Sequence, residues 1–451
     1  MYLQQLVFSN IRGYGTGTDA ARLDFARPDG SYAGWTVIAG RNGSGKTTLL
    51  RAIALALAGP STAKSLSPSF RGWISEGFNE ASVQAAFSTG PNDNFASGGR
   101  LPKKQAWAGL GWENAEFGPE PTLKEKMPHN APVLTPRRGP WYENPVGWFV
   151  AGYGPFRRLS GAASDAQRLM LGPQRVASLV TLFDESASLA EAMWWLQDLY
   201  PKVLEGDSSS KELMDGLMAM IGDGLLPDEH HVARYDSQGL WVERAGKKFL
   251  LEDLSDGYRT IAALVLDICR RLHAANREFS VTVNDDGSVQ CDYEGIVLID
   301  EVDVHLHVSW QQALGPWLKS HFPKIQFIVS SHSPFICQAA SPNGLIRLPA
   351  PGEADRRPRF VEDELYKAIV HGGSDVAVES DLFGLDSARS SETMALNAQL
   401  VEFERRIVLN EATEKDIEEM RQLRDTISPS AKSEALNTLA ALRLSMESGL
   451  A

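Results

Sequence analysis

Cysteine is scarce in this chain of 451 residues: Cys269, Cys291 and Cys337 are the only three, and no two stand in a C-x-x-C spacing. That excludes a disulfide framework and a zinc site and fits the reducing cytosol. No run of about 18 apolar residues occurs, so a membrane span is not expected. The opening MYLQQLVFSNIRGYG alternates like a strand and lacks the charged start and apolar core of a signal peptide. Positive charge is short as well, with 44 Lys and Arg against 57 Asp and Glu, a net charge of -13. A polyanion is repelled by such a surface unless basic groups gather locally, so any nucleic-acid contact must be patchy. The pairs Lys103 with Lys104, Arg137 with Arg138, and Arg157 with Arg158 are the short candidates, with solvated loop charge the simpler reading of the first two. Internal repeats and sustained heptads are absent.

What is present reads as an α/β chain of two or three lobes. Residues 1–59 run strand, turn, strand, glycine loop, helix, with WTVIAG of buried-strand type and helical spacing at Leu49, Ile53 and Leu57. Residues 60–160, rich in Gly, Pro and Ser, scatter Trp73, Trp107, Trp112, Trp141 and Trp148 among turn residues and read as an irregular insertion with some strands. A helical lobe is expected over 161–230, a second half of the α/β domain over 231–358, and a helical extension over 359–451. In that extension Leu396, Leu400, Phe403 and Ile407 share one face, and Ile417, Met420, Leu423 and Ile427 another, behind a Thr413 cap with Asp416 three residues on.

GRNGSGKTT, Gly40 to Thr48, fits G-x-x-x-x-G-K-[ST] between a buried strand and a helix. Backbone N–H groups of Gly40, Asn42, Gly43, Ser44, Gly45 and the helix start through Thr48 are placed to wrap phosphates of ATP. Lys46 would reach the β and γ phosphates and the Thr47 hydroxyl would ligate Mg²⁺. GIVLIDE ends an apolar strand in two carboxylates, Asp300 for the Mg²⁺ shell and Glu301 to orient and deprotonate water. IVSSHSPF puts His332 at the tip of the next strand, where its imidazole could donate to a γ-phosphate. His305 and His307 read as polar turn groups rather than a metal pair. The stretch LSDG before the helical run YRTIAALVLDICRRL offers the Ser255 hydroxyl, Asp256, the Gly257 N–H and a helix N-terminus. Crowding these around the same chain's loop is implausible, so a second copy would supply them in trans, giving a dimer with two ATP molecules between subunits.

In order, GRNGSGKT, LSDGYR, VLIDEVDVHLH and SSHSPF resemble the Walker A, signature, Walker B with D-loop, and His-switch motifs of ABC-type ATPases, and more narrowly the RecF, SMC and OLD-like branch, with IRGYG similar to its N-terminal turn. The resemblance implies a P-loop ATPase head with a parallel-core mixed sheet, an inserted helical lobe and a C-terminal helical extension. It assigns Ser255 and Gly257 to the γ-phosphate in trans and Asp303 to the D-loop. Asp256 stands where the signature of that family has a glycine, and Tyr258 where it has glutamine; Gln84 and Gln105 are candidates for the Q-loop, with the strand-like GWFVAGYGPFRR before the helical lobe as the alternative occupant of that position.

About 200 residues without heptads separate Thr48 from Leu254, too few for a long-armed SMC protein, and no D-x-D follows Pro358 as a Toprim nuclease would need. The chain thus resembles stand-alone ATPases of anti-phage systems of the Septu and PARIS types. That resemblance implies a cytoplasmic ATPase, a homodimer or higher even oligomer, governing a separately encoded nuclease or toxin effector in response to a phage trigger. The tryptophan-rich segment and the tail helices are candidate docking surfaces, or else an added core layer. A RecF-like ATPase that clamps DNA, and a scaffold that binds ATP without turning it over, are the alternatives.

Overall fold

The computed structural model describes residues 1–15, 20–157, 164–226, 230–276, 278–353, 355–385, 387, 390–409 and 411–426. Arg158 and Ile427 lie outside them. Two units are described separately, Met1–Gly384 and the part from Leu385 onward.

The larger unit is layered around one helix. Strands β1 (Tyr2–Ser9), β2 (Ala21–Asp24), β3 (Gly34–Ala39), β4 (Glu80–Ser88), β5 (Ala106–Glu113), β6 (Thr122–Glu125) and β7 (Val150–Tyr153) divide between two sheets. Then come a meander, β8 (His231–Asp236), β9 (Gly239–Arg244) and β10 (Lys247–Leu250), and a small hairpin, β11 (Thr282–Val283) with β12 (Val289–Gln290). Finally β13 (Gly295–Ile299), β14 (Ile325–Ser331), β15 (Leu345–Arg347) and β16 (Arg359–Phe360) complete the second sheet. One sheet has the order β2-β1-β4-β5-β6 with antiparallel neighbours; the other has the order β16-β15-β3-β14-β13-β7 and is parallel except at β16.

The P-loop helix Lys46–Leu66 lies between the sheets, and its residues from Thr48 to Ala58 are buried apart from the half-buried Arg51. A helix enclosed on every side carries apolar groups all round rather than a stripe, as LLRAIALALA does. Period-two alternation in the central strands feeds two cores. Ile38, Ile296, Leu298 and Ile328 face this helix, while Val37, Val297, Ile299, Phe327 and Val329 face the helices on the far side. Those far helices are Asp256–Ala275, Val308–His321 and the pair Ala190–Leu204 and Ser208–Gly222.

The sequence reading changes in three places. The P-loop helix breaks at Gly59, which takes φ +83 before Pro60, and a further helical stretch continues to Leu66. The segment read as an insertion over 60–160 instead supplies β4, β5 and β6 of the antiparallel sheet and β7 of the parallel one. Trp73, Trp112 and Trp148 are core residues there, with Trp112 fully buried and stacked on Trp73 at 5.0 Å. Short helices between Ser164 and Phe183 pack into the P-loop helix's own core, leaving Ala190–Gly222 as the helical layer. The helical extension expected from residue 359 starts later, since the first unit continues to Gly384. In the second unit helices Ser391–Val408 and Glu414–Thr426 pair through Leu396, Leu400, Phe403, Ile407, Met420 and Leu423. The capping box forms as read, with Asp416 N donating to Thr413 Oγ1 at 3.2 Å and Thr413 N to Asp416 Oδ2 at 2.8 Å.

Candidate functional site

Parallel register brings the C-terminal ends of four neighbouring strands to one edge. Ala39 of β3 pairs with Ser331 of β14, Val329 of β14 with Ile299 of β13, and Ile299 with Tyr153 of β7. Functional groups in open parallel sheets gather at that edge. Gly40 to Lys46, Asp300 to Asp303 and Gly154 to Arg157 leave the strands there, and Ser330 and Ser331 end β14 just before His332.

The glycine loop is shaped by positive φ at Gly43 and Gly45, 74° and 89°. A Cβ on Gly45 would collide with the Tyr14 ring, which shares the buried floor. Lys46, the first residue of its helix, is buried, and its Nζ donates to Gly40 O at 3.0 Å and Arg41 O at 3.3 Å. Burial lowers its pKa, while Glu301, Asp300 and Asp303 pull it back up. Among the described residues the buried Ser44 hydroxyl in the loop and the Tyr14 hydroxyl beneath it have no hydrogen-bond partner. Orphaned buried polar atoms call for an explanation, and a loop built to meet an anion supplies one.

After β13 the chain turns sharply at Glu301, which holds φ +44, a left-handed conformation uncommon for a side chain of this size. Ser330 braces the turn: its Oγ donates to Asp300 Oδ1 and accepts from Glu301 N at 2.8 Å, while Ser330 O accepts from Val302 N at 3.0 Å. Ser331 Oγ donates to Asp303 Oδ1 at 2.6 Å and accepts from Ser333 N at 2.8 Å. Burial raises the Glu301 pKa, with Asp300 and Asp303 adding to the effect and Lys46 and Arg157 opposing it. Burial lowers the His332 pKa, helped by Lys46 and opposed by Asp303 and Asp300. These groups therefore feel one another's fields, and Lys46, Asp300, Glu301, Asp303 and His332 make one cluster.

Arg157 had been a candidate for nucleic-acid contact; it is instead buried under this turn, at 3% exposure, and bonded to backbone carbonyls. Arg137 is engaged by Glu125 in a two-pronged pair, and Arg138 by Ser97 Oγ at 3.0 Å and the Gly98 carbonyl. Lys103 and Lys104 are exposed.

Ser255, Asp256 and Gly257 begin the helix Asp256–Ala275, and among the described residues no hydrogen bond or ion pair joins them to Lys46. Ser255 is the N-cap residue but makes no side-chain capping bond, and it is exposed; Asp256 pairs with Arg259. Gly257 lies against the D-loop, where a Cβ would sit 2.8 Å from His305 O. His307 caps the next helix through Ser309 N at 3.4 Å, and His305 takes φ +67 in the turn. Gln84 is on β4 and Gln105 immediately before β5.

The donor set fits a nucleotide with Mg²⁺. Thr47 and Asp300 offer two hard oxygen ligands beside a loop of backbone N–H groups, and Mg²⁺ is commonly held by one or two such groups plus phosphates. Sequence reasoning missed Ser330, Ser331 and Tyr14. The serines were legible only as neighbours of His332 in SSHS.

Residues 5–96 match a family model described as "AAA domain", and residues 175–338 match one described as "AAA domain, putative AbiEii toxin, Type IV TA system". The chain is 28% identical over 316 residues to Septu protein PtuA of Bacillus mycoides (strain KBAB4), covering 69% of this chain and 36% of that protein. It is 39% identical over 126 residues to the "Retron Vc95 probable ATPase" of Vibrio cholerae serotype O1 biovar El Tor, covering 28% of this chain and 22% of that protein. It spans well under half the length of these curated relatives. Among solved structures, an Smc head bound to the C-winged helix domain of ScpA aligns with a TM-score of 0.47 at 14% identity, over 80% of this chain and 98% of that one. No helix among the described residues is long and apolar enough to cross a membrane.

Proposed function

We propose that this chain binds ATP with Mg²⁺, hydrolyses it in a two-fold dimer or a higher even assembly of dimers, and acts in anti-phage defence by governing a separately encoded nuclease or toxin. The observation that carries the ATPase reading is the convergence of Lys46, Asp300, Glu301 and His332 at one sheet edge. The defence reading leans on the similarity to a Septu protein and a retron ATPase.

In this reading the loop amides from Asn42 to Thr48 and the helix N-terminus hold the phosphates. Lys46 leaves the carbonyls of Gly40 and Arg41 to bond the β and γ phosphates, a short movement for a group already beside the loop. Thr47 Oγ1 and the Asp300 carboxylate are the metal-holding groups, and bound Mg²⁺ would neutralise charge on the phosphates. Glu301 orients an attacking water and takes its proton, a task suited to a carboxylate whose pKa is raised toward neutrality. His332 donates to a γ-phosphate oxygen; burial favours its neutral form, which still carries one N–H. Ser255 and the Gly257 N–H of a second copy close the site. Ser255 Oγ is exposed and free of a capping bond, so it is available for that contact. Asp303, held by Ser331, couples the two halves because its turn also carries the carbonyl that abuts Gly257.

The test is capture with Glu301→Gln protein in ATP and Mg²⁺, co-expressed with its native flanking genes. Abolished turnover, stable dimers and a stoichiometric nuclease-like or toxin-like partner are expected. Wild-type turnover in that variant would refute Glu301 as base. Recovery of DNA on a bare dimer would move the assignment to a repair clamp.

A further inference from the structure

Arg157 has no place in the residues that touch nucleotide, yet it is the most heavily bonded cation near them. Its Nη1 donates to Gly154 O and Asp300 O, each at 3.1 Å, and its Nη2 to Val302 O at 3.3 Å and Glu301 O at 3.4 Å. Three consecutive carbonyls, 300 to 302, thus converge on one guanidinium. The reason lies in the turn. Beyond Ile299 the strand ladder stops, and the left-handed step at Glu301 swings successive carbonyls inward, away from any strand partner; Glu301 O finds a backbone donor in Val304 N at 3.1 Å, which leaves Asp300 O and Val302 O to Arg157. Buried carbonyls without donors are costly.

A lysine would offer a point charge with tetrahedral donors, whereas a guanidinium presents a flat fork that serves several acceptors spread along one turn. Burying a cation is itself unfavourable, and burial pulls the Arg157 pKa down to about 10, with Asp303, Asp300 and Glu301 opposing that fall. So expensive a group is hard to explain as filler when a neutral donor could bond one carbonyl. It becomes intelligible if the whole turn must be held in one conformation. Ser330 fixes the turn from the β14 side through its side-chain and main-chain oxygens, and Arg157 fixes it from the β7 side.

We propose that Arg157 is a positioning residue for hydrolysis: by clamping the carbonyls of Asp300, Glu301 and Val302 it holds the Glu301 backbone in its left-handed conformation and so aims the Glu301 carboxylate at the attacking water. This rests on the ATPase reading above. The guanidinium touches neither nucleotide nor water in the proposal; it acts through the turn.

The experiment compares full-length wild type with Arg157→Lys and Arg157→Ala in steady-state ATP turnover, binding of a fluorescent ATP analogue, thermal unfolding, and hydrogen exchange read by mass spectrometry. Arg157→Lys keeps the charge and loses the fork, and it remains informative where Arg157→Ala fails to fold. For Arg157→Lys the expected result is a fall in kcat of about a hundredfold, from a misaimed base, with analogue affinity changed less than about threefold. Exchange should accelerate at the amides of Glu301 and Val302, which donate to Ser330, and stay unchanged in the P-loop helix. A Lys variant with wild-type kcat and unchanged exchange at that turn would overturn the proposal. So would a parallel loss of kcat, analogue affinity and protection across the chain, the signature of a merely structural arginine. Wild-type protein that binds the analogue without turnover would overturn the ATPase reading and this role with it; wild-type turnover unaffected by the Lys variant would overturn this role alone.

Discussion

Ser330 and Asp300 stand at the ends of neighbouring parallel strands, and the serine hydroxyl is donated to the carboxylate while it accepts the amide of Glu301. One small side chain therefore orients the candidate metal-holding acid and the backbone of the candidate base together. Ser330→Ala would free Asp300 to rotate and leave the Glu301 N–H without its partner. The Mg²⁺ concentration for half-maximal turnover is expected to rise about tenfold, the usual scale for losing a group that orients a ligand. Stability should fall by about 1–3 kcal/mol from the unpaired amide. A Mg²⁺ titration of ATPase rate measures the first, and urea unfolding the second; an unchanged titration would restrict Ser330 to a structural role.

Gly257→Ala probes the seam between the helix start and the D-loop. The added Cβ would lie 2.8 Å from His305 O, and a backbone carbonyl cannot yield as a flexible side chain can. Displacement of the D-loop is the expected result, with ATP-driven dimers lost and nucleotide affinity of the monomer retained. Light scattering in the Glu301→Gln background, beside binding of a fluorescent ATP analogue, separates the two. Dimers that persist at wild-type strength would show that the seam tolerates a methyl group and that the contact is incidental.

Much of this site is written in contiguous residues, which is why it could be read. The glycine loop, the carboxylates after GIVLI and the histidine after IVSS each carry their own local signal: an apolar strand that ends in polar groups. Arg157 and Ser330 carry none, because their meaning depends on β7 and β14 flanking β13, a pairing that only the folded sheet creates. Composition was a partial guide. Tryptophans among glycines and prolines suggested an irregular insertion with some strands; the strands are there, and Trp73, Trp112 and Phe70 interlock beside β5. Turn-rich sequence describes the connections between β4, β5 and β6, not the strands themselves.

That aromatic cluster gives a stability prediction. Trp112 is fully buried, stacked on Trp73 and 5.8 Å from Phe70 between ring centres. Trp112→Ala should cost about 3–5 kcal/mol through lost contacts and an unfilled cavity. Among the described residues its indole N–H has no hydrogen-bond partner, so Trp112→Phe sacrifices packing volume alone and should cost distinctly less. Urea midpoints for the two variants check the order. Equal, small losses would mean that the segment is a peripheral layer rather than part of the head's core.

The last prediction concerns a carboxylate that no motif announces. Asp267, fully buried on the helix that begins at Asp256, binds Arg270 at 2.8 Å and Arg271 at 2.6 Å and accepts the Tyr153 hydroxyl at 3.0 Å. The Tyr153 carbonyl in turn accepts from Asp300 N at 2.8 Å, so the network runs from the Asp256–Ala275 helix to the turn that carries Asp300. Asp267→Asn would strand the Arg271 charge and leave Arg270 with Glu191 alone, and breaking a buried pair from one side typically costs about 3–5 kcal/mol. Burial opposes the charged form of Asp267, but Arg271 and Arg270 outweigh it and hold the pKa below the ordinary carboxylate value. A depressed folded pKa gives stability that is present above the unfolded value of about 3.9 and fades as pH falls through it toward the folded pKa. Glu191, raised chiefly by burial with a smaller contribution from the Asp267 charge, works in the opposite sense; most of its titration is common to both proteins, so the difference between them mainly reports Asp267. Wild type should therefore lose stability to acid more steeply than Asp267→Asn, and the gap between their urea midpoints should narrow as the pH is taken from neutrality toward about 3. A gap that stays constant with pH would mean that Asp267 contributes through packing and hydrogen bonds, with its charge unimportant.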